Sequence, residues 1–220
     1  MAEPGSPENH AADSDPAPEP ATASPDLAER IIDAAMRLAA DQGWRHLTLA
    51  DIAAAAEMPL GDLHRQFASR QAILEGLRRS IDRAMMAPGA VTVGPARDRL
   101  FEVLMRRFDA LERWRPGIAA VLEDQSRDPV ALLGGGAGLV CSMATALETA
   151  GLDSSGLRGL LRAQALAGAW LPALRVWLGD EGEDRAKTMA SLDRGLRRLD
   201  RVARFCQGVF TARRHTEEAV

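Results

Sequence analysis

Apolar residues recur every three to four positions along most of this chain. The first run is Leu27, Ile31, Ala35 and Leu38, and a later run is Ile73, Leu77, Ile81 and Met85. This is the period of a helix with one buried face. No stretch alternates apolar with polar residues, which is the pattern of a half-buried strand. The sequence therefore predicts an all-α protein without a sheet.

Composition divides the chain into segments. Residues 1–25 are rich in Pro, Ala, Ser and acids, and Met1 is their only large apolar residue, so we expect a disordered tail. Pro and Gly at 88–95 predict a linker. The predicted units are a three-helix domain with a connecting helix at 26–86, a helical domain at 87–210 and a flexible tail at 211–220. Helices of the second domain are predicted at roughly 96–113, 115–124, 129–150, 155–178 and 183–208.

Two short helices follow a longer one in the first unit. The long helix begins near Leu27 and ends at Gly43, a residue that terminates helices well. Thr48 with Asp51 has the Thr-x-x-acid spacing that begins a helix, because the hydroxyl accepts a free backbone N–H. Pro59 then ends that helix, and a second short helix follows it. This order predicts a helix-turn-helix.

The second short helix has an inner and an outer face. We expect Leu60, Leu63 and Phe67 to pack against the other helices. The residues left facing outward are Gly61, Asp62, His64 and Arg65. A recognition helix presents such residues to the major groove. Arg65 is the best candidate for a base contact, since a guanidinium matches the two acceptors of guanine.

The net charge says little about a nucleic-acid partner. The chain carries −4, but its first 26 residues hold six acids and no base, so the remainder sums to +2. From Leu27 to Met86, acids and arginines number eight each. A strong phosphate-binding domain is usually more basic than this.

The segment from Glu29 to Leu77 resembles the DNA-binding domain of TetR-type regulators. The shared positions are Ile32, Ala35, Gly43, Thr48, Ile52, Ala53, Gly61, Leu63, Phe67, Ser69, Ala72 and Leu74. The resemblance covers residues 27 to about 86. It implies a cytoplasmic homodimer that binds operator DNA, with C-terminal helices that pair the subunits and hold a small ligand. The chain is thus expected to be a ligand-responsive transcriptional regulator, a repressor.

The same resemblance assigns roles to residues of the first unit. Thr48 would contact a phosphate through its hydroxyl or the amides at its helix start. His64 stands where the family usually has a phosphate-contacting tyrosine. Arg70 matches a basic residue that binds phosphate just past the turn. Gly61 would let the helix start approach the DNA backbone, and Arg65 would supply base specificity.

Three residues depart from the family pattern. Pro59 stands where a Ser or Thr cap is usual, and Leu60 replaces a position that is often basic. Asp62 places a negative charge on the surface that should meet phosphates. The alternative hypothesis is a three-helix unit that keeps its shape but no longer binds DNA.

A second resemblance lies near the C-terminus. Residues 161–201 are similar to ubiquinone-biosynthesis accessory proteins, which share the TetR-like fold and bind isoprenoid lipids. The shared residues are Trp177, Asp180, Thr188, Leu192, Asp193 and Arg194. The alternative function is therefore a lipid-binding accessory protein that does not bind DNA. In either case we expect the effector to be a small apolar molecule, with lipids among the candidates. We expect its binding site to be lined by Met143, Leu166 and Trp170.

Other classes of protein find little support in the sequence. No apolar run is long enough to span a membrane, and no secretory signal begins the chain. The two cysteines lie far apart, which predicts buried, reduced thiols. The glycines at 134–138 lack the Gly-Lys-Ser/Thr of a phosphate loop and predict a joint within or before a helix. No histidine spacing suggests a metal, and no nucleophile and base cluster, so we expect no enzyme, cofactor or metal site.

The last predicted helix combines an apolar stripe with a basic face. A helix on a membrane surface has this pattern. However, Asp193 precedes Arg197 by four residues, and Asp200 precedes Arg204 by four. This spacing stabilises an ordinary solvated helix, which is the interpretation we favour.

Overall fold

All regular elements of the described part of the chain are helical. The computed structural model describes residues 25–87, 93–127, 129–182 and 184–217. Its α-helices there are α1 (Pro25–Gln42), α2 (Leu49–Ala55), α3 (Leu60–Gln66), α4 (Arg70–Met85), α5 (Ala96–Leu111), α6 (Arg115–Gln125), α7 (Pro129–Thr149), α8 (Gly156–Leu178) and α9 (Ala186–Glu217). The 3₁₀ turns are Trp44–His46 and Glu112–Trp114. The predicted all-α class is confirmed. We call α1–α3 the head, α4 the connecting helix and α5–α9 the body.

Most predicted helix boundaries lie within a few residues of the observed ones. The clear exception is α9, which continues to Glu217, past its predicted end near 208. The glycines at 134–138 lie inside α7, as a helical segment and not as a loop. The predicted tail at 1–24 and most of the linker, 88–92, fall outside the described residues. Two of the acid–base pairs predicted for the last helix form in α9, Asp193 with Arg197 at 2.8 Å and Asp200 with Arg204. The third, Glu183 with Lys187, includes a residue outside the described ones.

The head packs around the inner face of α1. Side chains from all three helices and from α4 are buried there, among them Ile31, Ile32, Met36, Ile52, Leu63, Phe67 and Ile73. Leu60 was expected in this core, but its exposed fraction is 47%. It is the first residue of α3, and the turn before it leaves it outside the packed face. Leu63 and Phe67 alone therefore anchor α3.

A close crossing of α1 and α6 joins the head to the body. Gly117 of α6 lies so near α1 that an added Cβ would be 2.9 Å from the Met36 Cα. The Trp114 indole donates to Asp33 Oδ1 at 2.6 Å, and the Arg45 backbone N–H donates to Asp124 Oδ2 at 2.6 Å. These contacts fix α6 against α1 and the 3₁₀ turn that precedes α2.

The core of the body is aromatic. Phe108 of α5 stacks on Trp170 of α8 with ring centres 5.5 Å apart, and Trp177 lies 5.8 Å from Phe108. Cys141 was predicted to be buried but is exposed on α7. The helical period at Ser142 and Met143 turns those residues inward and leaves Cys141 outside. The side chain of Cys206 falls outside the described residues.

Candidate nucleic-acid interface and effector core

A capping box begins α2. The Thr48 hydroxyl accepts the Asp51 backbone N–H at 3.2 Å and donates to Asp51 Oδ2 at 2.7 Å. The Asp51 carboxylate also accepts the Thr48 backbone N–H at 2.9 Å. These hydrogen bonds lower the pKa of Asp51 below its usual value. The Thr48 side chain is therefore held at the exposed start of α2, where the free amides also face solvent.

The outer face of α3 is exposed as the sequence predicts. Gly61, His64 and Arg65 are exposed, and Asp62 is partly so. A Cβ added to Gly61 would meet nothing within 4 Å. Packing within the chain therefore does not require glycine at this position.

Arg65 already has an ion-pair partner on its own helix. Its Nη2 lies 2.7 Å from Asp62 Oδ1, and the arginine side chain remains 78% exposed. Exposed pairs of this kind contribute little to stability, so the pair can open at small cost. Asp62, the acid on the outer face of α3, therefore neutralises the arginine of the same face.

Arg70 holds the head together. Its Nη1 donates to the backbone carbonyls of Trp44 at 2.8 Å and Arg45 at 3.0 Å. The guanidinium also lies 5.9 Å from the centre of the Trp44 ring. This contact ties the start of α4 to the 3₁₀ turn before α2. The sequence did not indicate it, because 26 positions separate the two partners.

The body contains a buried charged network that sequence analysis missed. Asp82 of α4 pairs with Arg107 of α5, and both residues are 4% exposed. Asp82 also accepts the Ser142 hydroxyl of α7 at 2.8 Å and Arg78 Nη1 at 2.6 Å. Arg78 pairs in turn with the half-exposed Glu75. The network therefore links the connecting helix to two helices of the body.

The predicted effector-lining residues are core residues of the body. Met143 of α7 and Leu166 and Trp170 of α8 are all buried, at 0%, 1% and 4% exposed. They belong to the same hydrophobic cluster as Phe108. The charged network lies next to Trp170, because the guanidinium carbon of Arg107 is 5.2 Å from the centre of the Trp170 ring.

The residues of the second resemblance have structural partners here. Asp180 accepts the backbone N–H and the hydroxyl of Thr188 at 2.9 and 2.8 Å, which lowers the pKa of Asp180 and holds the first turn of α9. The Trp177 indole donates to Glu112 Oε2 at 3.1 Å, and Leu192 is buried. Trp177, Asp180, Thr188 and Leu192 therefore contribute to the packing of the body.

Residues 31–77 match the sequence model of the family described as bacterial regulatory proteins, tetR family. This range contains α2, α3 and the whole turn between them. The helix-turn-helix segment is therefore similar to this family. No curated protein matches the chain.

Solved structures of TetR regulators share the fold of about four fifths of this chain. A TetR transcriptional regulator from Nitrosomonas europaea ATCC 19718 is 22% identical with a TM-score of 0.63, over 78% of this chain and 96% of that one. Another from Rhodococcus sp. RHA1 is 20% identical with a TM-score of 0.58, over 79% and 96%. The chain therefore has a TetR-like fold, with an N-terminal helix-turn-helix and a C-terminal helical part.

The described residues contain neither a candidate membrane span nor a candidate metal site. No helix there is long and apolar enough to cross a membrane. Within the same part of the chain, no three His, Cys, Asp or Glu side chains lie close enough together to hold a metal ion.

Proposed function

We propose that this protein is a ligand-responsive transcriptional regulator, a repressor in the cytoplasm, and not an enzyme. The observation that carries the proposal is the exposed outer face of α3 within a segment similar to the tetR family. On DNA, α3 lies in the major groove, Arg65 contacts a base edge, and Thr48 and His64 contact phosphates. Gly61 allows the close approach. Arg70 contacts a phosphate with the part of its guanidinium that the Trp44 and Arg45 carbonyls leave available.

The Asp62–Arg65 pair gives a test that needs no knowledge of the operator. Asp62→Asn should raise the affinity for a random-sequence duplex by roughly three- to tenfold, because it frees Arg65 and removes a charge that repels phosphates. A random-sequence duplex offers Arg65 no specific base, so there Arg65 acts as a cation near the phosphates. Arg65→Ala should therefore weaken binding and flatten the slope of log affinity against log salt by about 0.9. Fluorescence anisotropy over a salt series measures both quantities.

The matched control for this test is Asp193→Asn. Asp193 forms the same kind of exposed ion pair, with Arg197, but on α9 of the body. Its removal should leave both affinity and salt slope unchanged. If all three variants have the same DNA affinity and salt slope as the wild type, α3 does not face DNA.

Ligand response is proposed to run through the connecting helix. Asp82 joins α4 to α5 and α7 deep in the body, and Arg70 joins the start of α4 to the turn before α2. A ligand that changes the packing around Arg107 would therefore displace the helix that follows α3. Coupling of this kind requires the ligand to prefer one of the two arrangements.

We also propose a homodimer that pairs through α8. One face of α8 is buried in the body, while the opposite face exposes Leu157, Leu160, Leu161 and Leu171. Leu157, Leu161 and Leu171 recur at helical spacing with Gln164 and Gly168 between them. A contiguous exposed apolar stripe of this kind is typical of an interface. Met189 and Val202 add exposed apolar surface on α9. In the dimer, α8 and α9 of each chain would form a four-helix bundle with their symmetry mates.

A further inference from the structure

Two buried hydrogen-bond donors meet in the core of the body without an acceptor. Arg107 Nε and Trp170 Nε1 have no hydrogen-bond partner in the described part of the chain. Both residues are 4% exposed, and the guanidinium carbon of Arg107 lies 5.2 Å from the centre of the Trp170 ring. The two donors therefore share one neighbourhood between α5 and α8.

Such donors are unusual in a folded protein. Most buried polar groups have at least one partner, and each one left without a partner costs on the order of 1–3 kcal/mol. The Trp177 indole, in the same aromatic cluster, shows the ordinary situation, since it donates to Glu112. Unpaired donors on two neighbouring residues call for an acceptor that the described residues do not supply.

The charges nearby favour an anion over a neutral acceptor. Arg107 shares the Asp82 carboxylate with Arg78, so two guanidinium groups face a single buried acid. The second acid of the network, Glu75, is 41% exposed and pairs with Arg78. Burial lowers the pKa of Arg107, but arginine stays charged in proteins. The local charge around Arg107 is thus positive.

The surroundings of the donors are apolar. Phe108 stacks on Trp170, and Leu166 lies one turn before Trp170 on the buried face of α8. An anion that reaches this place must carry an apolar body, because the groups around it offer contact but few hydrogen bonds. A carboxylate fits both demands, since its two oxygens can accept from two donors.

We propose that the effector is an apolar carboxylic acid whose carboxylate accepts hydrogen bonds from Arg107 Nε and Trp170 Nε1. The proposal rests on the function proposed above, in that it takes the body to be the effector-binding part. It narrows the effector from any small apolar molecule to an acid. Fatty acids and aromatic acids both belong to this class, and the probes below distinguish them.

The indole N–H of Trp170 is a direct reporter. The probes are decanoate, 4-phenylbutanoate and naphthalene-2-carboxylate, each beside its primary amide, added to the full chain. Proton NMR follows the indole resonances, and Trp170→Phe assigns the relevant one by its loss. At least one acid should move this resonance and bind at least tenfold more tightly than its amide. Trp170→Phe should lower the binding affinity for that acid by roughly tenfold, the usual loss for one charge-assisted hydrogen bond.

Trp177→Phe is the matched control. It removes an indole N–H from the same aromatic cluster, but one that already has an acceptor in Glu112. The affinity for the acid should therefore stay within twofold of the wild type. Arg107→Gln should abolish the preference for the acid over the amide.

Three results would overturn the proposal. They are a Trp170 resonance that no acid moves, amides that bind as tightly as their acids, and acid affinity that Trp170→Phe leaves unchanged. Any of these would mean that the donors serve an ordered water or remain unpaired. The first two use only the wild-type chain and do not depend on the folding of a variant. If the protein binds the acid but no DNA, the carboxylate site stands and the proposed regulator function is wrong. If it binds DNA but no acid, the regulator function stands and the carboxylate site is wrong.

Discussion

Replacing Asp82 by Asn is expected to lower the free energy of unfolding by about 3–5 kcal/mol, the usual cost of removing one member of a buried ion pair. Arg107 would keep its charge in a place where its exposed fraction is 4% and would lose its only anionic partner among the described residues. The amide could still accept hydrogen bonds, so the loss comes from the uncompensated charge. Urea unfolding followed by circular dichroism measures the change.

Glu75→Gln is the control for this prediction. Glu75 belongs to the same network through Arg78, but its side chain is 41% exposed, so water replaces most of what it provides. Its substitution should cost less than about 1 kcal/mol. Equal destabilisation by the two variants would mean that the network does not depend on burial at Asp82.

Replacing Gly117 by Ala is expected to destabilise the protein by about 3 kcal/mol or more, at or above the upper end for overpacked sites. The new Cβ would press on the Met36 carbonyl and lie 2.9 Å from the Met36 Cα. These are backbone atoms of α1, so no side chain can rotate out of the way. Helices α1 and α6 would have to separate, which also disturbs the join between head and body. Urea unfolding again gives the size of the effect.

Gly136→Ala is the same chemical change in open space. Gly136 lies in α7, and an added Cβ there would meet nothing within 4 Å. Alanine should stabilise this position by about 0.5–1 kcal/mol, the difference in helix propensity. A Gly117→Ala variant within about 0.5 kcal/mol of the wild type would contradict the close crossing of α1 and α6.

Local features of the fold could be predicted from the sequence because local residues determine them. The period of apolar residues places the helices, and the Thr48–Asp51 spacing predicts the capping box that begins α2. The outer face of α3 follows from the positions of Leu63 and Phe67. The prediction that Leu60 is buried was wrong. Helical spacing continues to the first residue of a helix, while burial depends on which residues pack against that position.

Contacts between distant positions could not be predicted in this way. Asp82 meets Arg107 across 25 positions and Ser142 across 60. In the sequence, Arg107 cannot be distinguished from the other arginines of an amphipathic helix. Its neighbour Trp170 was predicted as an apolar lining residue, without its unpaired N–H. A signal that could have indicated the network is Asp82 itself, an acid directly after the apolar position Ile81.

The central claim is that α3 reads DNA as part of a two-fold symmetric pair of chains. It is tested most directly by capture of fragmented genomic DNA from the source organism on the purified protein, followed by sequencing. The account predicts enrichment of a short sequence with two-fold symmetry, bound by two chains. Arg65→Ala should relax the preference at one base pair of each half-site. If the wild-type protein enriches no sequence, α3 does not read DNA, and a lipid-binding accessory protein of the same fold becomes the better account.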